Sequence, residues 1–323
     1  MIKSGSIERR YKMRKWEIKE IRGVIPALVT PFNEDESVSE EKTRNLVEYL
    51  LDMGVDGFYL TGSTGEGFLM DEWERKRVVE IVIDQVKDRV PVIVHVGAIS
   101  TKISVELAKH AYESGAAAVS SVPPFYYKFS FEEIYNYYKD IAEATPLPLI
   151  VYSVPATTGV DMGTDAIVKL AEIENVKGIK YTSMNHFEMQ RIKERLGSSF
   201  AVYSGADEMA LSGMLMEADG IIGSSYNCIP EVFIHMLRAI EAGDINKARE
   251  HQIIANDIIE IFARYTYHVS LKQAMKWMGV DCGRNRRPFK RLTTEEQQAL
   301  RNDLLELKQS KKPLNVKLLD VLS

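Results

Sequence analysis

One lysine of this 323-residue chain stands where amine chemistry is expected. Lys180 lies near the end of a β-rich run, Val176–Tyr181, and strand alternation places it on the same face as Gly178. Most lysines are solvated at the surface, but a glycine on this face is typical of a crowded interior, where an ammonium must be paired, neutral or reacting. Because a desolvated lysine is a standard nucleophile toward carbonyl compounds, the sequence predicts Schiff-base chemistry at Lys180.

A tyrosine on the preceding strand is the predicted companion of this lysine. Tyr152 lies in the run Leu149–Ser153 and shares a strand face with Ile150. Taken alone, a tyrosine there is more often a core residue than a catalyst. A lysine and a tyrosine on neighbouring strands would nevertheless point into one cavity, so Tyr152 is a candidate catalytic residue beside Lys180.

A loop of glycine and hydroxyl residues, Gly62–Gly65, follows the run Gly57–Thr61. Such a loop can be a simple turn, or a nest of N–H and hydroxyl donors for a small carboxylate, and the residues alone leave both readings open. Glu66 has no evident chemistry beyond capping or orienting this loop. The six histidines show no metal-ligand spacing, and Cys228 has no cysteine nearby, so no metal site is predicted.

Eight β-rich runs, each followed by a helix-length segment, must position these groups. The runs are Val24–Val29, Gly57–Thr61, Val92–Val96, Ala117–Val122, Leu149–Ser153, Val176–Tyr181, Ala201–Ser204 and Gly220–Gly223. The pattern is typical of parallel β/α units, and no Gly-x-Gly-x-x-Gly turn of an open sheet follows the first run. We therefore predict an α/β fold, a (β/α)8 TIM barrel with catalytic groups at the C-terminal ends of its strands.

Three segments follow from this pattern. Residues 1–21 are predicted to be a solvated arm, since they mix charges without the apolar core of a secretory signal. Residues 22–243 form the barrel, and residues 244–323 a C-terminal helical extension. The helices predicted in the extension are Ile245–Arg264, Ser270–Met278 and Thr294–Lys308, the last with a cap around Thr293.

Composition excludes several classes of function. The chain is 45% hydrophobic and 27% charged, as in an ordinary soluble globular protein. Its net charge of −5 supplies no basic field for nucleic acid or an anionic membrane. Two cysteines indicate no disulfide framework, so a reducing cytoplasm is expected, and no apolar run reaches the length of a membrane span.

Taken together, the loops resemble those of the dihydrodipicolinate synthase and N-acetylneuraminate lyase family of pyruvate-dependent aldolases, over roughly residues 22 to 310. The family's carboxylate-binding loop is similar to Gly62–Glu66, with Ser63 where the synthases usually carry threonine. His95–Gly97 and Pro124–Glu133 resemble the lyase branch. The resemblance implies a class I aldolase that cleaves N-acetylneuraminate to pyruvate and N-acetylmannosamine through a lysine imine, with no metal or organic cofactor.

The resemblance also implies a role for each matching residue. Lys180 is the Schiff-base lysine, and Tyr152 is the phenol that shuttles protons, linked through Ser63 and Tyr126 as further catalytic residues. Ser63 and Thr64 hold the pyruvyl carboxylate. Tyr126 resembles a tyrosine that relatives lend to the site across a subunit contact, which implies a homotetramer. The residues implied to bind the polyhydroxy tail of the sugar are Thr182, Gly205, Asp207, Glu208 and Ser224.

One departure from the family bears on the substrate. Thr157 stands where the lyases commonly have leucine and the synthases an arginine that grips a second carboxylate. The absence of that arginine argues against a synthase that forms a dicarboxylate. Such a synthase, or another pyruvate-dependent 2-keto-acid aldolase, remains the alternative. A phosphate-binding barrel enzyme is disfavoured because Asp207 and Glu208 would repel phosphate. A non-catalytic sugar-acid sensor on the same fold is also disfavoured, since a binder needs no amine nucleophile.

Overall fold

The computed structural model describes residues 15–311 and 315–322, and the predicted strands lie within them. The strands are β1 (Gly23–Pro26), β2 (Phe58–Leu60), β3 (Val92–His95), β4 (Ala118–Ser121), β5 (Leu149–Ser153), β6 (Val176–Tyr181), β7 (Ala201–Ser204) and β8 (Gly220–Gly223). They pair in parallel in the order β1-β8-β7-β6-β5-β4-β3-β2. The sheet closes where Leu28 N donates to the Tyr59 carbonyl at 2.9 Å, just after β1 leaves β8. The predicted barrel is confirmed.

Helices surround the barrel and continue beyond it. They are α1 (Glu40–Met53), α2 (Glu72–Val86), α3 (Thr101–Ser114), α4 (Phe131–Ala144), α5 (Pro155–Thr158), α6 (Thr164–Leu170), α7 (His186–Leu196), α8 (Ala210–Leu215), α9 (Pro230–Glu241), α10 (Ile245–Arg264), α11 (Tyr267–Trp277), α12 (Thr294–Ser310) and α13 (Lys317–Val321). No helix in the described part of the chain is long and apolar enough to cross a membrane.

The three predicted C-terminal helices are present, but α11 is shifted at both ends, α12 continues to Ser310 instead of Lys308, and α13 was not predicted. The predicted Ile245–Arg264 is α10, and Thr293 caps α12 in a capping box with Glu296. The helix predicted from Ser270 begins at Tyr267 instead. Ser270 does not mark a helix start because its hydroxyl donates to the Phe262 carbonyl at 3.1 Å, which ties α11 to α10.

Side chains alternate between the barrel interior and the helix layer. On β6, Ile179 and Tyr181 pack in the large core between strands and helices, whereas Lys180 faces the rings of Tyr59 and Tyr152 inside the barrel. The barrel interior is filled by apolar and tyrosine side chains from every strand except β6. The strand parity predicted for Lys180 is therefore confirmed.

The chain just before β1 closes the floor of the barrel. Trp16 and Ile18 pack against the interior cluster, and Ile21 is wholly buried. The Ile21 carbonyl accepts a hydrogen bond from the Tyr203 hydroxyl at 3.0 Å. The prediction of a solvated arm is wrong for these residues because their apolar side chains cover the open end of the barrel. Residues 1–14 of the predicted arm lie outside the described residues.

Candidate active site

Lys180 lies inside the barrel near the C-terminal end of β6. Its side chain is buried, with the residue 4% exposed, and its Nζ lies 4.4 Å from the ring centroid of Tyr59 and 4.1 Å from that of Tyr152. No carboxylate in residues 15–311 and 315–322 lies within ion-pair distance of this ammonium. The aromatic faces can hold the cation while its hydrogen-bonding capacity stays available to a reactant.

Tyr152 lies directly opposite Lys180 in the β5–β6 register. Its ring is held edge-on by two neighbours, Tyr59 at 5.9 Å and 81° and His95 at 5.9 Å and 88° between ring planes. The prediction that the lysine and the tyrosine share one cavity is therefore met by the structure. The described residues show no hydrogen bond from Tyr152 to Ser63, so the proposed proton link between them is not formed in this single chain.

His95 is a buried neutral histidine that supports Tyr152. Its Nδ1 lies 3.1 Å from the Thr61 carbonyl, and its Nε2 accepts from the Val122 N–H at 3.3 Å. Burial lowers the pKa of His95 well below its usual value, and the nearby guanidinium of Arg75 lowers it further. Since Nε2 is the acceptor, the proton lies on Nδ1 and the ring serves as a fixed wall of the cavity.

The glycine and hydroxyl loop after β2 forms a tight turn. Glu66 N donates to the Ser63 carbonyl, and Gly67 N to the Gly62 carbonyl, both at 3.0 Å. The Thr64 hydroxyl lies 2.6 Å from the Ser224 hydroxyl, in the loop after β8. The turn therefore presents Ser63 and Thr64 at the C-terminal end of the barrel, beside the loop that follows β8.

Thr182 and Gly205 lie against the Schiff-base candidate. A Cβ placed on Gly205 would lie 2.0 Å from Thr182 Oγ1 and 3.2 Å from Lys180 Cε, so any larger residue there would have to displace these side chains. The Thr182 hydroxyl is buried and has no hydrogen-bond partner in the described part of the chain. A buried polar group without a partner is uncommon, so the Thr182 hydroxyl keeps unused hydrogen-bonding capacity close to Lys180.

The two neighbouring carboxylates, Asp207 and Glu208, differ in their surroundings. Asp207 accepts hydrogen bonds from Ser225 N at 2.7 Å, Ser225 Oγ at 2.6 Å and Ser224 N at 3.2 Å. Burial raises the pKa of Asp207 to about 6. Asp207 thus organises the loop that carries Ser224. The Glu208 carboxylate is partly exposed and has no hydrogen-bond or ion-pair partner among the described residues.

A cavity of about 410 Å³ opens beside the turn that carries Ser63, a predicted carboxylate-binding residue. Its lining is mostly apolar and comprises Ser63, Glu66, Gly67, Phe68, Leu69, Val122, Phe125, Thr157, Thr158, His268, Pro288 and Phe289. The Thr157 hydroxyl donates to the Val154 carbonyl at 3.3 Å. Burial lowers the pKa of His268, so its imidazole is neutral at pH 7. This lining therefore offers no cation to a second carboxylate.

Tyr126 is not part of the buried site in its own chain. It is 80% exposed, and its ring packs edge-on against Tyr127 at 5.1 Å. Its φ of 79° is uncommon for a bulky residue. The structure of one chain therefore leaves this predicted site residue at the surface.

Two site residues were not identified from the sequence. Tyr59 lies against Lys180, and its hydroxyl bonds Ser120 Oγ at 3.1 Å. His95 was considered as a metal ligand and as part of the His95–Gly97 resemblance, but no role in the site was assigned to it. The alternation along β2 and β3, applied as it was to β5 and β6, would have placed Tyr59 inside the barrel. Among residues 15–311 and 315–322, no group of three or more His, Cys, Asp or Glu side chains could hold a metal ion.

Comparisons with known proteins agree with this geometry. The sequence model of the dihydrodipicolinate synthetase family matches residues 20–307. The chain is 40% identical to the N-acetylneuraminate lyase of Citrobacter koseri over 263 residues, which cover 81% of this chain and 88% of the relative. Its fold matches CdNal from Clostridium difficile, solved in complex with mannosamine, with a TM-score of 0.85 at 34% identity over 88% and 98% of the two chains.

A synthase structure is similar to the same degree. The dihydrodipicolinate synthase of Bacillus anthracis matches with a TM-score of 0.84 at 34% identity, and the match covers 88% of this chain and 97% of that one. Overall similarity to solved structures therefore does not separate lyase from synthase. That distinction depends on the residues around Lys180.

Proposed function

Because the chain belongs to the dihydrodipicolinate synthetase family, we propose that it is a class I aldolase that cleaves N-acetylneuraminate to pyruvate and N-acetylmannosamine. The observation that carries the proposal is the buried Lys180 ammonium, 4.1 Å from the Tyr152 ring centroid and without an ionic partner in the described residues. A buried amine of this kind is built to react with a carbonyl.

The reaction follows from the groups in the cavity. Lys180 Nζ loses a proton and attacks the C2 ketone, and the proton is returned to the carbinolamine hydroxyl, which leaves as water to give a protonated imine. The C4 hydroxyl loses its proton as the C3–C4 bond breaks, and the bonding electron pair moves into the imine to give an enamine and N-acetylmannosamine. Protonation of the enamine at C3 and hydrolysis of the imine release pyruvate. Tyr152 is the phenol that moves these protons, and the covalent imine supplies the electron sink without a metal or organic cofactor.

The choice of lyase over synthase rests on charge. Ser63 and Thr64 can hold one carboxylate, but the cavity lining beside them carries neither Arg nor Lys for a second. Glu208 and Thr182, in contrast, offer a free carboxylate and an unpartnered hydroxyl to a polyhydroxy chain. A site that bonds hydroxyls discriminates strongly, because its polar groups are stranded when the partner is missing.

Two assays test this function. Borohydride reduction in the presence of pyruvate should add one adduct, at Lys180 and not at the exposed Lys177 of the same strand, and labelling that persists in Lys180→Ala would contradict the assignment. N-acetylneuraminate cleavage and aspartate semialdehyde condensation should then be compared in wild type, Glu208→Ala and Thr157→Arg. Glu208→Ala should weaken cleavage by about 2 kcal/mol, the loss of a charged hydrogen bond, and still form the pyruvate imine. Efficient condensation and no cleavage by the wild type would make the protein a synthase.

The proposal also includes a homotetrameric assembly and a cytoplasmic location. Tyr126 is exposed in one chain and stands in a strained backbone conformation, which is consistent with a side chain that completes the site of a neighbouring subunit in a homotetramer. Cys228 and Cys282 are buried and unpaired, as expected for an enzyme of the cytoplasm.

A further inference from the structure

The structure holds the turn that carries Ser63 and Thr64 through one buried carboxylate, Glu66. The Glu66 side chain is 0% exposed and forms an ion pair with Lys272 of α11, Nζ to Oε1 2.8 Å, which is itself 2% exposed. Glu66 Oε1 also accepts from Asn285 Nδ2 at 2.8 Å, and Glu66 Oε2 accepts from Arg286 N at 2.8 Å. Every donor comes from the C-terminal extension, more than 200 positions along the chain.

The lysine of this pair has every proton in use. Lys272 Nζ donates to Glu66, to the Thr30 carbonyl at 2.7 Å and to the Arg284 carbonyl at 3.3 Å, which accounts for the three donors of an ammonium. Thr30 continues the connection, because its hydroxyl donates to the Gly65 carbonyl at 2.6 Å. The extension therefore holds the turn at two adjacent residues, Gly65 and Glu66.

The turn needs such support because its backbone is strained. Thr61 and Glu66 have φ values of 54° and 55°, in the left-handed region that side chains disfavour. Gly67 packs so closely that a Cβ there would lie 2.0 Å from the Thr61 carbonyl oxygen. Strained conformations of this kind persist only where the surroundings fix them.

We propose that Glu66 and Lys272 are positioning residues for keto-acid binding: their buried ion pair fixes the turn so that Ser63 and Thr64 meet the substrate carboxylate. This inference rests on the proposed function. Neither side chain touches the reacting atoms. We call this ion pair the Glu66–Lys272 clamp. Since the substrate carboxylate is bound in both the ground state and the transition state, loss of the clamp should raise KM far more than it lowers kcat.

The chain supplies a matched control. Glu74 on α2 forms a second buried ion pair with the same segment of the extension, where Arg286 Nη1 lies 2.7 Å from Glu74 Oε2. The side chains of this pair connect the extension to α2 and to the Leu69 carbonyl. Arg286 reaches the turn through its backbone N–H, which donates to Glu66 Oε2 and is not altered by a substitution at Glu74. Glu66→Gln and Glu74→Gln therefore make the same chemical change in two buried ion pairs, of which one supports Ser63 and Thr64.

The experiment measures half-saturation by pyruvate in borohydride trapping, together with kcat and KM for N-acetylneuraminate, on folded oligomeric protein. Glu66→Gln should raise the pyruvate half-saturation and the sugar KM at least 10-fold, with kcat changed less than 3-fold. Glu74→Gln should lower the melting temperature but leave both concentrations within 2-fold of wild type. Asn285→Ala, which removes one of three donors and keeps the ion pair, should raise them 2- to 5-fold.

The outcomes separate the clamp from the function. Equal effects of Glu66→Gln and Glu74→Gln on pyruvate half-saturation would overturn the clamp, because loss of general stability would then explain both. If Glu66→Gln does not fold, an Asn285→Ala enzyme with wild-type half-saturation would overturn it. If the wild type traps pyruvate but does not cleave N-acetylneuraminate, the lyase function is refuted and the clamp can still be tested on pyruvate. If the wild type traps no pyruvate, both the function and the clamp are refuted.

Discussion

The substitution Gly205→Ala adds a single methyl group at the centre of the proposed site. A Cβ at this position would lie 2.0 Å from Thr182 Oγ1, 3.1 Å from Thr182 Cβ and 3.2 Å from Lys180 Cε. A separation of 2.0 Å between heavy atoms cannot persist, so Thr182 must rotate. The contact with its Cβ and with the lysine stem remains after that rotation, and the stem must shift as well.

The size of the effect follows from the cost of overpacking. Inserting a methyl group into a well-packed interior costs about 1–3 kcal/mol. If that cost falls on the lysine that forms the imine, kcat/KM should fall by about 5- to 150-fold, since each 1.36 kcal/mol corresponds to a factor of ten. Both pyruvate trapping and sugar cleavage should slow, because Lys180 takes part in both.

Gly163→Ala is the matched control. A Cβ on Gly163 would meet only Glu188 Oε1, at an ordinary contact distance of 3.5 Å, and the residue has a φ of −62° at the start of α6. The assay is the rate of pyruvate trapping at Lys180 by intact-protein mass, with melting temperature recorded for both variants. A Gly205→Ala enzyme that traps pyruvate at the wild-type rate would refute the proposed packing around Lys180.

Two further predictions concern Asp207 and Tyr126. As pH falls through about 6, Asp207 takes up a proton and becomes a weaker acceptor for the Ser224 and Ser225 donors. We therefore expect kcat/KM to fall in a step that Asp207→Asn abolishes in a pH–rate profile. The stability effect has the opposite sign: the folded pKa lies above the ordinary value of 3.8, so protonation favours the folded state, and this group should raise the free energy of unfolding as pH falls from about 6 to about 4. For Tyr126, we expect Tyr126→Ala and Lys180→Ala subunits, each inactive alone, to regain activity when they are refolded together. Some sites then combine an intact lysine with an intact tyrosine from the neighbouring subunit. No recovery of activity in the mixture would contradict a shared site.

Local pattern was sufficient to predict the barrel and its reactive pair. The strands of a barrel are short and their side chains alternate strictly, so parity places Lys180 and Tyr152 on the inner face without any knowledge of the rest of the fold. The α10 boundaries follow equally from helical periodicity. The residues that hold these groups were harder to predict from the sequence, because Tyr59 and His95 act through ring packing, which has no sequence motif.

The support of the carboxylate loop could not be derived from the sequence. Glu66 and Lys272 are 206 positions apart, and neither lies in a spacing that predicts contact. Glu66 was interpreted only as a residue that caps or orients its own loop. The structure shows that the orientation comes from the extension, which binds Glu66 with three donors. The C-terminal helices are thus connected to the site, although no chemistry was predicted in them.

The loops proposed to bind the two ends of the substrate are joined by one connected set of hydrogen bonds. Asp207 accepts from Ser224 N, and the Ser224 hydroxyl bonds the Thr64 hydroxyl at 2.6 Å, so the loops after β7, β8 and β2 are joined. The loop that would hold the keto-acid carboxylate and the loop that would bind the sugar tail therefore cannot move independently. Glu208, in contrast, stands outside this set with a free carboxylate. The sequence presents Asp207 and Glu208 as equivalent neighbours, but their surroundings assign loop geometry to the first and leave the second available for recognition of the substrate's hydroxyl groups.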